Sequence, residues 1–273
     1  MKVTKSAIAI AVLMLASAAA QADSSGNTVT VGQIGSFNSA TVEQTATSGD
    51  SVSINQSAAG DDPRYGFVAN VTTVGGSGDT TVIQQNSWWA EPYSSANVSQ
   101  TGTSHERNYV TQSGGGDFSA TITQTTSAYT GGPQYDTNTI NQYSYIDSAS
   151  ISQQGGGWNA VTINQCSPSQ PAIGNNATVN QWFESGDSAT INQSAASNNA
   201  TITQLNGYGN GASITQTAAF NTASITQSSS TGSTASITQS SADNLASVTQ
   251  SASGSAVTVS QTGAFNTASI KQH

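Results

Sequence analysis

The sequence predicts an all-β fold, a parallel two-strands-per-rung β-solenoid of about ten 22–23-residue rungs, and three observations carry that expectation. A seven-residue unit of the form N-x-A-[ST]-[IV]-x-Q recurs along the chain, as in Asn38–Gln44, Asn175–Gln181, Asn198–Gln204, Asn221–Gln227 and Asn266–Gln272. Its closing glutamine occurs 19 times between Gln33 and Gln272, and two residues before each one stands Ile or Val without exception. From Gln181 onward those glutamines follow one another at 11 or 12 residues, so each unit is followed by an arc of four or five. Self-similarity at a fixed period is the mark of stacked repeats.

Within the unit, the first, third, fifth and seventh residues are Asn or Asp, Ala, Ile or Val, and Gln, while the intervening ones are mostly Ser, Thr or Asn. Such alternation reads as a strand whose successive side chains point to opposite faces. The inward ladder is therefore Asn38, Ala40, Val42 and Gln44; Asn198, Ala200, Ile202 and Gln204; Asn221, Ala223, Ile225 and Gln227; and Asn266, Ala268, Ile270 and Gln272, with Ser and Thr facing solvent. Arcs rich in Gly, Ser, Ala and Asn are short enough to reverse the chain. Two strands and two arcs close a rung, and ten rungs at about 4.8 Å make a body on the order of 48 Å long.

Taken in chain order, residues 1–22 carry Lys2 and Lys5, an apolar run from Ala7 to Ala20, and Ala20-Gln21-Ala22. That is the pattern of a secretory signal peptide, with cleavage expected before Asp23. Its apolar run is too short for a spanning helix, which needs about 20 residues. Residues 23–273 read as one continuous repeat domain. The gap of 29 between Gln56 and Gln85 leaves room for a degenerate strand around Asn70 to Gly76, with Gly76 in the glutamine place, which brings the strands to 20. Insertions near 57–68, 86–93, 125–135 and 166–174 fall between strands and are expected to protrude as loops. Trp88-Trp89 and Trp182-Phe183 read as aromatic residues that pack such loops onto the solenoid. Asp50, Asp79, Asp136, Asp147 and Asp187 take the first inward place of their units and read as gatekeepers against premature aggregation.

Beyond residue 22 the basic side chains are Arg64, Arg107 and Lys271, against 14 acids. Such a surface repels nucleic acid and anionic lipid, so neither nucleic acid nor direct membrane insertion is expected. No cofactor or metal is expected either, because the acids lack the dense spacing of a calcium-binding repeat loop. Only His105 and His273 accompany an outer face of Ser and Thr, which offers no positioned acid–base pair and points away from an enzyme. Cys166 is the lone cysteine and reads as a free thiol in a loop. Thr121-Ile122-Thr123 and Thr201-Ile202-Thr203 display Thr-x-Thr outward, which makes an ice-binding β-solenoid the alternative; Ser and Asn at the same places interrupt the array.

These units resemble the curlin repeat of curli fibre subunits, whose pattern is S-x5-Q-x-G-x2-N-x-A-x3-Q. Ser255, Gln261, Gly263, Asn266, Ala268 and Gln272 fill it completely. Gln33, Gly35, Asn38, Ala40 and Gln44 fill all but its leading Ser, which is Asn27, and Asn221, Ala223 and Gln227 complete another whose Gly is Ala218. The resemblance implies a structural subunit of extracellular amyloid-like fibres, for biofilm matrix and surface adhesion, secreted by a Gram-negative-type bacterium. It also implies export through an outer-membrane secretion channel and assembly with itself, with a nucleator subunit or as the fibre nucleator. Curli subunits usually carry a Gly-rich targeting segment after the signal, whereas here a strand motif begins at Asn27.

Stacked amides pair with their copies above and below, and at a terminal rung those partners run out. The last unit ends one residue before His273, so an open strand edge with the full inward motif is expected to template the next subunit. The expected polymerisation edge is Gln261, Ile270 and Gln272, and the expected product is a homopolymer grown by head-to-tail stacking.

Overall fold

β-Branched residues at alternate positions favour extended backbone, and Gly, Ser and Asn between them favour reversal. The computed structural model describes residues 24–35, 37–58, 66–87, 93–114, 117–125, 135–143, 146–165 and 174–273. Among them are 20 strands in two parallel ten-stranded sheets. The first sheet holds β1 (Thr28–Ile34), β3 (Ser51–Ala58), β5 (Thr80–Ser87), β7 (Arg107–Ser113), β9 (Thr137–Gln142), β11 (Ala160–Gln165), β13 (Ser188–Gln193), β15 (Gly211–Gln216), β17 (Thr234–Gln239) and β19 (Ala256–Gln261). The second holds β2 (Ser39–Thr45), β4 (Gly66–Ser77), β6 (Tyr93–Ser104), β8 (Ser119–Thr125), β10 (Ser148–Gly157), β12 (Asn176–Ser185), β14 (Asn199–Leu205), β16 (Thr222–Ser228), β18 (Leu245–Gln250) and β20 (Thr267–Gln272). Odd and even strands thus alternate between sheets, and each pair of consecutive strands makes one rung.

Register is set by the inward motif. Ile191 pairs with Ile214 and Gln193 with Gln216 in the first sheet, and Ile202 pairs with Ile225 and Gln204 with Gln227 in the second. A slip of one residue would turn every Ile outward, so burial of one face holds the alignment. The apolar core is a double file of small and branched residues, such as Ala200 and Ile202 against Ala212 and Ile214, all buried.

The degenerate strand differs from its expected position. It is β4, and Gln44, Thr73 and Gln100 are in register, so Thr73 and not Gly76 takes the glutamine place. Ala69 and Val71 lie beside Ala40 and Val42, and that Ala-Val pair decides the alignment. Gly76 lies farther on, paired with Thr103, where any Cβ would come within 1.7 Å of the Thr103 carbonyl oxygen.

Strands also extend into ranges expected to be insertions: β4 begins at Gly66 and β5 runs to Ser87. Trp182 lies within β12, paired between Gln154 and Leu205, and both it and Phe183 are exposed, so this pair does not pack a loop down. The signal peptide, Trp88-Trp89, Cys166 and the inner parts of the four insertions lie outside the described residues. Among the described residues, no helix is long and apolar enough to cross a membrane.

Candidate assembly interface

Every interior glutamine of the first sheet bonds to the next. The amide Nε2 of Gln33 donates to Oε1 of Gln56 at 2.7 Å, and the file continues through Gln85, Gln112, Gln142, Gln165, Gln193, Gln216 and Gln239 to Gln261 at 2.7–3.0 Å. The same Nε2 also reaches across the core to a backbone carbonyl at the start of the preceding second-sheet strand, as Gln193 does to Asn176 at 3.0 Å and Gln239 to Thr222 at 3.1 Å. That second bond tells nitrogen from oxygen and gives the file a direction. Donors point toward the carboxy-terminal rung and acceptors toward the amino-terminal one.

The second sheet repeats the file from Gln100 to Gln272 at 2.8–3.3 Å, but Thr73 interrupts it below. Gln44 Nε2 is consequently buried without a partner among the described residues. Thr73→Gln is expected to restore the bond and raise stability by about 1–2 kcal/mol, read as a shifted denaturant midpoint with unchanged slope.

A second pair of files runs at the residue before each strand. Asn198, Asn221 and Asn244 each accept, through Oδ1, the backbone N–H of their successor one rung on, at 2.9 Å. Asp50, Asp136, Asp147 and Asp187 do the same at 2.7–3.1 Å. The bond along the file needs only an acceptor, which both Asn and Asp supply. The five aspartates read as gatekeepers are therefore buried members of a backbone-pairing file, together with Glu106, which the same alternation (Glu106, Asn108, Val110, Gln112) marks in the sequence. Among the described residues, no group of three or more His, Cys, Asp or Glu is placed to hold a metal ion.

The end rungs differ from the interior. β1 and β2 pair only with β3 and β4, and β19 and β20 only with β17 and β18. Their inward residues are accordingly uncovered: Val29 and Val31 are 48% and 42% exposed and Ile270 is 36%, where interior Ile residues are 0%. Asn198, Ala200, Ile202, Gln204, Asn221, Ala223, Ile225 and Gln227 are buried, whereas Asn38, Ala40, Val42 and Gln44, and likewise Ala268 and Gln272, are half-buried and Asn266 is exposed. Gln261 is buried and donates to the Leu245 carbonyl at 3.0 Å.

In-register parallel strands, two per rung, with columns of like residues and amides bonded along the axis, define a β-solenoid of stacked repeats. The family model of the curlin associated repeat matches residues 25–57 and 231–263, stretches near the two ends of the solenoid. These two matches support a curlin repeat family protein, and that family is one of structural fibre subunits. A search of curated proteins finds no match.

Proposed function

We propose that this chain is a subunit of extracellular, curli-type amyloid fibres, grown by stacking the last rung of one molecule on the first rung of the next. The observation that carries the reading is the pair of one-sided end rungs, which display the inward motif to solvent. In the junction, β19 meets β1 with Val259 on Val31 and Gln261 on Gln33, while β20 meets β2 with Ile270 on Val42 and Gln272 on Gln44. Donors of Gln261 and Gln272 face acceptors of Gln33 and Gln44, so the fibre has a polarity. Exposed parallel edges of this kind are templates for strand addition. Export behind the signal peptide, a surface-attached biofilm role, an outer-membrane channel and a nucleator subunit complete the reading; the family's extracellular fibres support it.

The test is elongation of purified residues 23–273, followed by thioflavin fluorescence and electron microscopy. Replacing Gln261, Ile270 and Gln272 together with lysine is expected to abolish growth while circular dichroism still shows β-structure. A Val31→Lys, Val42→Lys variant is expected to do the same from the other end. Wild-type kinetics in either variant would overturn the reading.

A further inference from the structure

One stretch of the inward file is built of acids. Immediately before β3, β5, β7 and β9 stand Asp50, Asp79, Glu106 and Asp136, in four consecutive rungs and all buried. One strand spacing, about 4.8 Å, separates neighbours. Asp50 Oδ1 accepts the Asp79 N–H at 3.0 Å, Asp79 Oδ1 the Glu106 N–H at 2.9 Å, and Asp136 Oδ1 the Asn159 N–H at 2.7 Å. Of the remaining oxygens, Asp79 Oδ2 accepts the Thr103 hydroxyl at 2.5 Å and Glu106 Oε2 accepts Gln124 Nε2 at 3.1 Å. Asp50 Oδ2 and Glu106 Oε1 are buried with no hydrogen-bond partner among the described residues.

Among the described residues, no lysine or arginine is placed to neutralise this file, and the charge of exposed His105 only partly offsets burial at Asp79. The other titratable groups beside it are His105 and Tyr135, both exposed on the arcs before Glu106 and Asp136, and Arg107, exposed on the outer face of β7. From the opposite sheet it meets Gln124, Gln153 and Thr103, which are neutral. A cavity of about 10 Å³ lined by Thr103, Glu106, Gln124, Thr125, Asp136, Gln153 and Gly155 has the size of one water, too small for a hydrated counterion. Like charges in file and out of water do not all ionise, and an oxygen without a donor becomes a donor once protonated.

We infer that folding of this chain is proton-linked: at neutral pH the folded solenoid holds in its acid file at least one proton that the unfolded chain has released. The inference concerns the single folded molecule and stands apart from polymerisation. Burial pushes Asp79 up to about 6, and burial with the charges of Asp136 and Asp79 raises Glu106 well above the ordinary carboxyl range. Burial raises Asp136 as well. Glu184, buried near the end of β12, is raised by the same cause and then by Asp187. Each folded pKa lies above its unfolded value. The stability these groups contribute is therefore complete below about pH 4, and it is lost as pH rises through about 6 at Asp79 and on into the alkaline range.

The experiment measures proton uptake during refolding of soluble monomer at pH 7 in weak buffers, and urea midpoints between about pH 5 and about pH 9. Uptake of at least one proton per chain is expected, with the folding constant falling roughly ten-fold or more across that range. Glu106→Gln with Asp136→Asn is expected to fold, since Asn27, Asn159 and Asn210 already occupy the same file, and to lower both signals. Adding Glu184→Gln is expected to remove most of the rest. Absence of uptake, equal midpoints across the range, or an undiminished pH dependence in the double variant would each overturn the inference. Calcium restoring alkaline stability to wild type without any proton uptake would overturn it in favour of a cation site.

Discussion

Replacing Gln193 with leucine is expected to lower folding stability by about 3–6 kcal/mol, although the volumes are similar and the new side chain is the more hydrophobic. Gln193 takes the Gln165 Nε2 hydrogen at 3.0 Å, gives one of its own to Gln216 Oε1 at 3.0 Å and gives the other to the Asn176 carbonyl at 3.0 Å. Leucine leaves three buried polar groups facing a methyl group, and each such orphan costs about 1–3 kcal/mol. The measurement is the urea midpoint of the monomer. A loss below that of Ile214→Ala would mean that the amide files merely fill space and that the aliphatic file carries the fold. The interruption at Thr73 shows that one missing glutamine is compatible with the architecture, but it lies one rung from the amino-terminal end, where fewer neighbours depend on it.

The architecture was legible because two signals survive in every strand: alternation, and an Ile or Val two residues before the closing position. The strand β4 lies three residues before its expected place because Asn70 and Val74 imitate the first and fifth positions of the unit, whereas Ala69 and Val71 hold the register. Glu106 is legible on the same alternation, although Glu stands there in place of the usual Asn or Asp. Burial of Glu184 was not legible. It depends on Gly207, whose N–H donates to Glu184 Oε2 at 2.8 Å and where any Cβ would sit 2.8 Å from that oxygen, and the two residues are 23 apart in sequence.

Another feature emerges only when the rungs are aligned. The place before the acid file is glycine with positive φ in Gly49, Gly78, Gly186 and Gly209, but His105 and Trp158 hold the same left-handed backbone with φ of 63° and 68°. Their rings pack at a tilt against Tyr135 between them, with centroids 5.3 and 5.0 Å away and interplanar angles of 44° and 55°. Such tilted aromatic contacts, worth about 0.5–1.5 kcal/mol per pair, offset part of the cost of that conformation.

The choice between Asn and Asp follows from the arcs, and it can be tested at Asn221. At Asn221, which follows a four-residue arc in the second sheet, the side chain does two jobs: Oδ1 accepts the Asn244 N–H at 2.9 Å, and Nδ2 donates to the Ala218 carbonyl at 2.7 Å, closing the turn. Asn198 closes its arc onto Ala195 in the same way at 2.8 Å. In the first sheet, Asp50 and Asp136 act only as acceptors toward the next rung. Asn221→Asp is therefore expected to cost about 2–4 kcal/mol at neutral pH, because a buried carboxylate oxygen would face the Ala218 carbonyl with no hydrogen between them. Asp187→Asn in the first sheet keeps the acceptor that holds the Asn210 N–H at 2.7 Å and removes a charge, so its expected change is small or stabilising. Acid separates the two causes in the Asn221 variant. Protonation returns a donor to the site, so the deficit is expected to shrink by at least half between about pH 7 and about pH 4. A deficit independent of pH would show that the arc closes without the side-chain hydrogen bond, and that asparagine prevails in the second sheet for a reason other than its two-sided chemistry.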